Sequence, residues 1–321
     1  MSNSAIGRLD PWGEGLHRPE CVIADPGGGV FVSDWRGGVT RIGADGDHSS
    51  WLCQPGAFAL KPNGFALDGD HGFLVAHLGE DTGGVWRLGR DGSVRPVLQQ
   101  VDGIDVPPTN FVTRDAIGRL WVSVSTRQRP RQRAWRRDVA DGFVVLVEDR
   151  SARIVADGLH YTNEVRVDPT GRWLYAIETF GRRLIRFPLR PDGHLGSAET
   201  VVTLGRGTFP DGFAFDERGA IWITSLVSNR LWRWSGDALD LVFEEVNEAF
   251  VAEAETAFGT GRMTAVHLGP IPGTRLQHVT SVAFAGPGGR KGFLGTLHGS
   301  CIYRFDVPDR TGSNIAPGRS A

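Results

Sequence analysis

Short apolar runs, each closed by a polar turn and followed by a bulkier apolar run, recur along the whole chain. VIADP, FALDG, FVTRD, VRVDP, FAFDE and VAFAG open six such units. Turns of the form DPGG, DAIG, DPTG and DERG follow, and then second runs such as VFVSD, LWVSV, LYAIE and IWITS. A short, mostly apolar run between turn residues is the pattern of a buried strand. Asp bonds its own backbone and Gly supplies a positive φ, so the connecting tetrapeptides predict hairpins. The complete copies are RPECVIADPGGGVFVSDWRGGVTRIG, KPNGFALDGDHGFLVAHLGEDTGGVWRLG, PPTNFVTRDAIGRLWVSVS, YTNEVRVDPTGRWLYAIETFGRRLIRFPL, FPDGFAFDERGAIWITSLVSNRLWRW and HVTSVAFAGPGGRKGFLGTLHGSCIYRF. The first five begin about 43 to 53 residues apart, the length of one four-stranded propeller blade. One unit cannot bury both of its faces, whereas a closed ring of six can, leaving little free edge. The prediction is an all-β, six-bladed β-propeller over residues 1–308. A β-sandwich competes, but sandwiches rarely repeat a hairpin signature six times.

Two segments interrupt the pattern. Residues 127–140 (RQRPRQRAWRRDVA) split the third unit, and residues 244–265 separate the fifth from the sixth. Val246, Phe250, Val251 and Ala254 fall near helical spacing and predict a short surface helix there. The polar tail 309–321 is expected to fray. The sixth unit lacks an outermost strand, and Ile6–Leu9 is the expected donor.

Composition narrows the class. Of 321 residues, 44 are Gly and 10 are Trp, which suits many short strands and tight turns. A net charge of −2 gives no reason to expect nucleic-acid binding. Cys21, Cys53 and Cys301 have neither CxxC spacing nor a disulfide framework. The first residues show no basic segment leading into an apolar core, and no apolar run has membrane-spanning length. The expectation is a cytoplasmic protein, a monomer or weak homodimer, that does not bind membranes.

Chemistry concentrates just before the first strand of each unit. There stand Glu20, Asn63, Asn110, Asn163, Asp211 and the pair Thr280–Ser281. First strands line a propeller's channel, so these oxygen-bearing side chains are expected to meet at one mouth. Two acids with amide oxygens, and no thiolate or imidazole, form a ligand set for one hard divalent cation. Calcium fits best, and zinc, manganese or magnesium can take such a site. Taken singly, Asn63–Gly64 reads as a turn and Glu20 as a surface acid; it is the recurrence that points to a site.

The stretches RPECVIADPGGGVFVSDW, NEVRVDPTGRWLYAIET and FPDGFAFDERGAIWIT resemble the gluconolactonase–regucalcin family, the senescence-marker-protein lactonases, over nearly the whole chain. More distantly, TNEVRVDPTGRWLYAIETFGRRLIRF resembles strictosidine-synthase-like and paraoxonase propellers. The family resemblance implies a divalent ion held by Glu20, Asn163 and Asp211, with Asn110 beside metal and substrate. It also implies hydrolysis of a lactone, with Asp211 as both ligand and base. Three departures stand out. Glu164 occupies a usual Gly position, Pro108 replaces a sugar-contacting Arg, and Phe111 replaces an Asp, which leaves the substrate rim more apolar.

Asn63, His160 and Trp135 are further candidates for contacting a small lactone or ester. His77, Tyr161, His298 and Trp35 read either as pocket wall or as ordinary packing. The Arg-rich insertion reads either as a solvated loop or as a lid. No GxSxG supports a serine nucleophile. Two alternatives to a lactonase remain at this stage: a strictosidine-synthase-like lyase or cyclase acting on a biosynthetic intermediate, and a non-catalytic calcium-binding propeller.

Overall fold

The computed structural model describes residues 6–56, 58–148 and 151–308. They form six four-stranded antiparallel sheets arranged as the blades of a β-propeller. The innermost strands are Val22–Ala24, Pro62–Leu67, Thr109–Arg114, Thr162–Val167, Thr208–Phe215 and Val279–Ala285, for blades 1 to 6 in turn. Blade 6 takes its fourth strand from the N-terminal region, which closes the ring. That strand is Asp10–Trp12, paired from Asp10↔Arg304 to Trp12↔Ile302, and not Ile6–Leu9 as expected. Ile6 and Leu9 are instead buried in the core of the last blade. Their apolar character came from packing, not from ladder pairing. The tail 309–321 lies outside the described residues.

The recurrent hairpin has a local cause. In blade 3, Asp115 Oδ1 accepts the backbone N–H groups of Ile117 (3.1 Å) and Arg119 (2.9 Å), and Oδ2 accepts the Trp121 indole N–H at 3.0 Å. Blade 5 repeats this with Asp216, Arg218, Ala220 and Trp222. Gly118 and Gly219 take φ of 93° and 80°, which the turn requires. One carboxylate therefore fixes the turn and also satisfies the indole of a fully buried tryptophan, so the Asp, Gly and Trp recur together.

Blades pack through apolar faces, as where Leu74, Val85 and Leu98 of blade 2 meet Val112, Val122 and Val145 of blade 3. The two interruptions join a separate cluster. Helix α1, Glu248–Gly259, is capped by Asn247, whose side chain accepts from Phe250 N–H. It buries Val251, Ala254, Ala257 and Phe258 against Phe180, Phe209 and Leu226. Ala134 and Trp135 of the Arg-rich insertion pack into the same cluster. The interruptions thus build one apolar shoulder over blades 4 and 5, at the end of the ring where the inner strands begin.

Candidate active site

Each inner strand of blades 2 to 6 begins with a β-bulge. The register with the second strand slips between Pro62 and Phe65, Thr109 and Phe111, Thr162 and Val165, Pro210 and Phe213, and Val279 and Ser281. Each slip brackets one of the candidate positions. A bulge releases a side chain from strict alternation and re-aims it, which is how the ring turns polar residues toward its axis. In blades 1, 4 and 6 the residue two places upstream is also left-handed: Arg18 (φ 46°), Tyr161 (φ 60°) and His278 (φ 60°).

A pocket of about 680 Å³ opens at this mouth. Glu20, Asn110, Asn163 and Asp211 line its polar end, all with 8% exposure or less. Asn110 Nδ2 donates to Asn163 Oδ1 at 2.5 Å, and Asn163 Nδ2 donates to Asp211 Oδ1 at 2.5 Å and to Thr179 Oγ1 at 3.2 Å. Arg18 Nε donates to Glu20 Oε2 at 2.7 Å. Burial, then the charges of Glu20 and Glu164, push the Asp211 carboxyl well above the ordinary carboxylate range, against a smaller opposing effect of the Asn163 amide. Trp35, Leu78, Trp135, Phe180, Leu226 and Leu268 form the apolar walls.

The other candidates fall elsewhere. Asn63 does not line the pocket; its Nδ2 ties blade 2 to blade 3 through the Asn110 carbonyl at 2.9 Å, and its buried Oδ1 has no partner. Thr280 and Ser281 stitch blade 6 to blade 1, through the Glu20 carbonyl (2.7 Å) and the Val22 N–H (3.1 Å). His160 lines a different depression, beside Arg182 and Arg183. It precedes the left-handed residue, whose reversal sends the chain away from the mouth. His77 is buried, its Nδ1 accepts the Lys61 N–H at 3.0 Å, and burial lowers its pKa to about 4. His298 is at the rim with Nε2 2.6 Å from the Leu268 carbonyl. Trp135 lines the pocket, and its Nε1 donates to the Tyr161 hydroxyl at 3.0 Å. Sequence reasoning missed Arg18, Arg131 and Thr179. The first stands two places before Glu20, as Tyr161 stands before Asn163, and that shared offset was the available signal.

A family model described as SMP-30/Gluconolactonase/LRE-like region matches residues 18–264. The chain belongs to that family. Among the relatives of this gluconolactonase-like chain is a 6-deoxy-6-sulfogluconolactonase from Pseudomonas putida, 28% identical over 186 residues. The match spans 57% of this chain and 57% of that relative. A gluconolactonase from Xanthomonas campestris superposes with a TM-score of 0.66 at 17% identity, covering 96% of this chain and 100% of the other. Regucalcin from Agrobacterium tumefaciens, a calcium-binding protein, gives 0.64 at 17% identity over 94% and 93%.

Two of the departures from the family pattern have a steric counterpart on the inner strand of a neighbouring blade. A Cβ on Gly64 would stand 2.2 Å from the Phe111 ring, and one on Gly212 would stand 2.7 Å from Glu164 Oε1. Phe111 therefore fills the space that Gly64 leaves, and Glu164 the space that Gly212 leaves. Arg166 binds Glu164 Oε2 at 2.8 Å and lies 4.8 Å from the Phe111 ring centroid. These side chains form one contact cluster on the inner strands of blades 3 and 4.

The donor set fits a hard cation. Among the described residues no three acids, histidines or cysteines form a metal-binding group, so a cation here relies on two carboxylates with amide oxygens. The upward displacement of the Asp211 carboxyl is the mark of negative charge buried without enough positive charge nearby. A divalent ion would supply that charge, and Glu20, Asn163 and Asp211 are the residues that could hold it.

Proposed function

We propose that this chain opens a lactone by adding water across its acyl–oxygen bond, at a centre where Glu20, Asn163 and Asp211 hold one divalent cation, calcium. The observation that carries the reading is the buried Asp211 carboxyl, raised by burial and by the Glu20 charge and hydrogen-bonded by Asn163, at the polar end of a pocket large enough for a substituted cyclic ester. The bound cation supplies the positive charge that polarises the ester carbonyl, stabilises the oxyanion and acidifies a water. Asp211 takes the proton as water attacks the acyl carbon. It returns that proton to the ring oxygen as the carbon–oxygen bond breaks, leaving a hydroxy acid. Glu20 contributes charge, and its Arg18 partner fixes its orientation. Asn110, bonded to Asn163, holds the amide chain in place beside the substrate. The Trp35, Trp135 and Phe180 walls exclude bulk water, which strengthens these charge effects.

The relatives support the class, since two of them are lactonases by name and one is a calcium-binding protein. The test is proton release from aldonolactones, alkyl lactones and aryl esters, with and without chelator, and with products weighed by mass spectrometry. The expected result is turnover of at least one lactone to a product one water heavier, lost with chelator and restored by calcium. A product isomeric with its substrate, or turnover indifferent to chelation, overturns the reading.

A further inference from the structure

Arg131 and Tyr161 stand beside the proposed centre with binding capacity that the protein itself does not use. Arg131 begins the short turn Arg131–Ala134 in the insertion after the second strand of blade 3. Its Nε donates to the Tyr161 hydroxyl at 2.8 Å, and an Nη reaches Asn110 Oδ1 at 3.4 Å. Trp135 Nε1 donates to the same hydroxyl at 3.0 Å. A phenol oxygen has two lone pairs and one proton. At Tyr161 both lone pairs already receive N–H donors, and among the described residues nothing accepts its proton. Tyr161 is 5% exposed and lines the pocket. A buried hydroxyl needs an acceptor, and a group bound in the pocket can supply it.

The charges point the same way. The other two cations on this wall have acidic partners: Arg18 has Glu20 at 2.7 Å and Lys61 has Glu80 at 3.5 Å. Arg131 bonds only neutral groups, so its half-buried guanidinium keeps both its charge and unused N–H donors. A guanidinium in that state is matched by a planar or tetrahedral oxyacid, which it grips with two parallel bonds. Asn110 and then Asn163 link Arg131 to Asp211 along one hydrogen-bond chain. A group held by Arg131 is therefore several atoms away from an acyl carbon held near Asp211. Arg131 also reaches the Asn110 side from the insertion, where Pro108, just before the inner strand of blade 3, offers no cation.

We propose that Arg131 and the Tyr161 O–H form a subsite for an anionic substituent, a carboxylate or sulfonate, at the end of the substrate remote from the ester. The preferred lactone then carries an acidic group of its own. This rests on the lactonase reading, so the test has a turnover arm and a binding arm.

In the first arm, kcat/KM is measured for gluconolactone and for the same lactone bearing a terminal carboxylate or sulfonate. One charge-assisted contact pair is expected to favour the acidic lactone by about 10- to 100-fold, mostly through KM. Arg131→Gln and Tyr161→Phe are each expected to cut the acidic lactone's kcat/KM at least ten times more than the neutral one's, with Arg131→Lys intermediate. Equal use of both lactones by the native protein, or equal losses for both in Arg131→Gln, overturns the subsite. In the second arm, calorimetry compares binding of the open-chain dicarboxylate and monocarboxylate hydroxy acids to the native and Arg131→Gln proteins. If no lactone is hydrolysed but the native protein prefers the dicarboxylate and Arg131→Gln does not, the subsite stands and the hydrolytic reading falls. Equal affinity of both proteins for both acids removes the subsite whatever the turnover.

Discussion

Asp211→Asn is expected to lower kcat for lactone opening by about 1,000-fold or more, while the chelator-treated variant melts no lower than the native protein. Removing a general base costs about 100- to 10,000-fold, and here the same change weakens the cation site. The stability half of the expectation follows from the charge. Burial, Glu20 and Glu164 raise the Asp211 carboxyl well above its ordinary value of 3.8. A group raised in the folded state favours folding below its ordinary pKa and loses that contribution as pH rises through the folded value. Above that ordinary value the cation-free native protein bears the cost of holding a carboxyl that the fold resists ionising, a cost the neutral, isosteric Asn lacks. Calcium should reverse the order, because the native protein gains binding energy that the variant does not. Thermal melting at neutral pH in chelator and in calcium, alongside kcat, checks both halves. A variant that melts well below the native protein in chelator would mean that Asp211 is a structural residue.

Gly212→Ala should disturb both fold and activity, although it adds one methyl group next to the carboxylate and touches no ligand atom. Its Cβ would stand 2.4 Å from the Thr280 carbonyl oxygen and 2.7 Å from Glu164 Oε1. The carbonyl cannot swing aside, because it already accepts the Thr224 hydroxyl at 2.8 Å. The same hydroxyl accepts the Gly212 N–H at 2.9 Å. Overpacking of this kind costs about 1–3 kcal/mol, occasionally more, and the strand can escape only by moving Asp211. A displacement of that order at a reacting group costs about 100-fold in rate. Gly205→Ala is the comparison: its Cβ meets nothing within 4 Å, and the change should stay within about 0.5 kcal/mol of native. Denaturant unfolding and kcat for the two variants separate a steric role at the channel axis from a generic glycine effect.

The ring was legible in the sequence because each blade repeats one physical solution. An Asp such as Asp115 or Asp216 holds the turn and the indole together, so it recurs with its Gly and Trp, and six copies imply closure. The closing strand was less legible. Asp10–Trp12 is polar at one end and only three residues long, whereas the neighbouring Ile6 and Leu9 have the apolar look of a strand but serve as packing. The polar mouth was legible as a set, because an oxygen-bearing residue recurs before each first strand, where five blades carry a bulge. Which members face the pocket was not. Asn63 and Asn110 occupy equivalent positions, yet the Asn63 amide is spent on a blade-to-blade bond while Asn110 lines the cavity. His160 and Tyr161 are adjacent, yet the left-handed turn at Tyr161 separates their directions. The roles of Glu164 and Phe111 were hidden as well, since each is explained by a glycine about 48 residues away on a neighbouring blade. The insertion carrying Arg131 has no counterpart in the repeat, so its position over the pocket could come only from the folded chain.

The proposed centre is a positive ion shared by residues from blades 1, 4 and 5. Calorimetric titration of calcium into chelator-stripped protein, read together with the melting temperature, addresses it directly. The expected result is one site per chain in the native protein, with a melting temperature that climbs with calcium; at 100 times the dissociation constant the gain is about 2.7 kcal/mol. Glu20→Gln should bind calcium at least ten times more weakly. No binding by the native protein of calcium, or of zinc, manganese or magnesium in its place, together with full hydrolysis by Glu20→Gln, would contradict it.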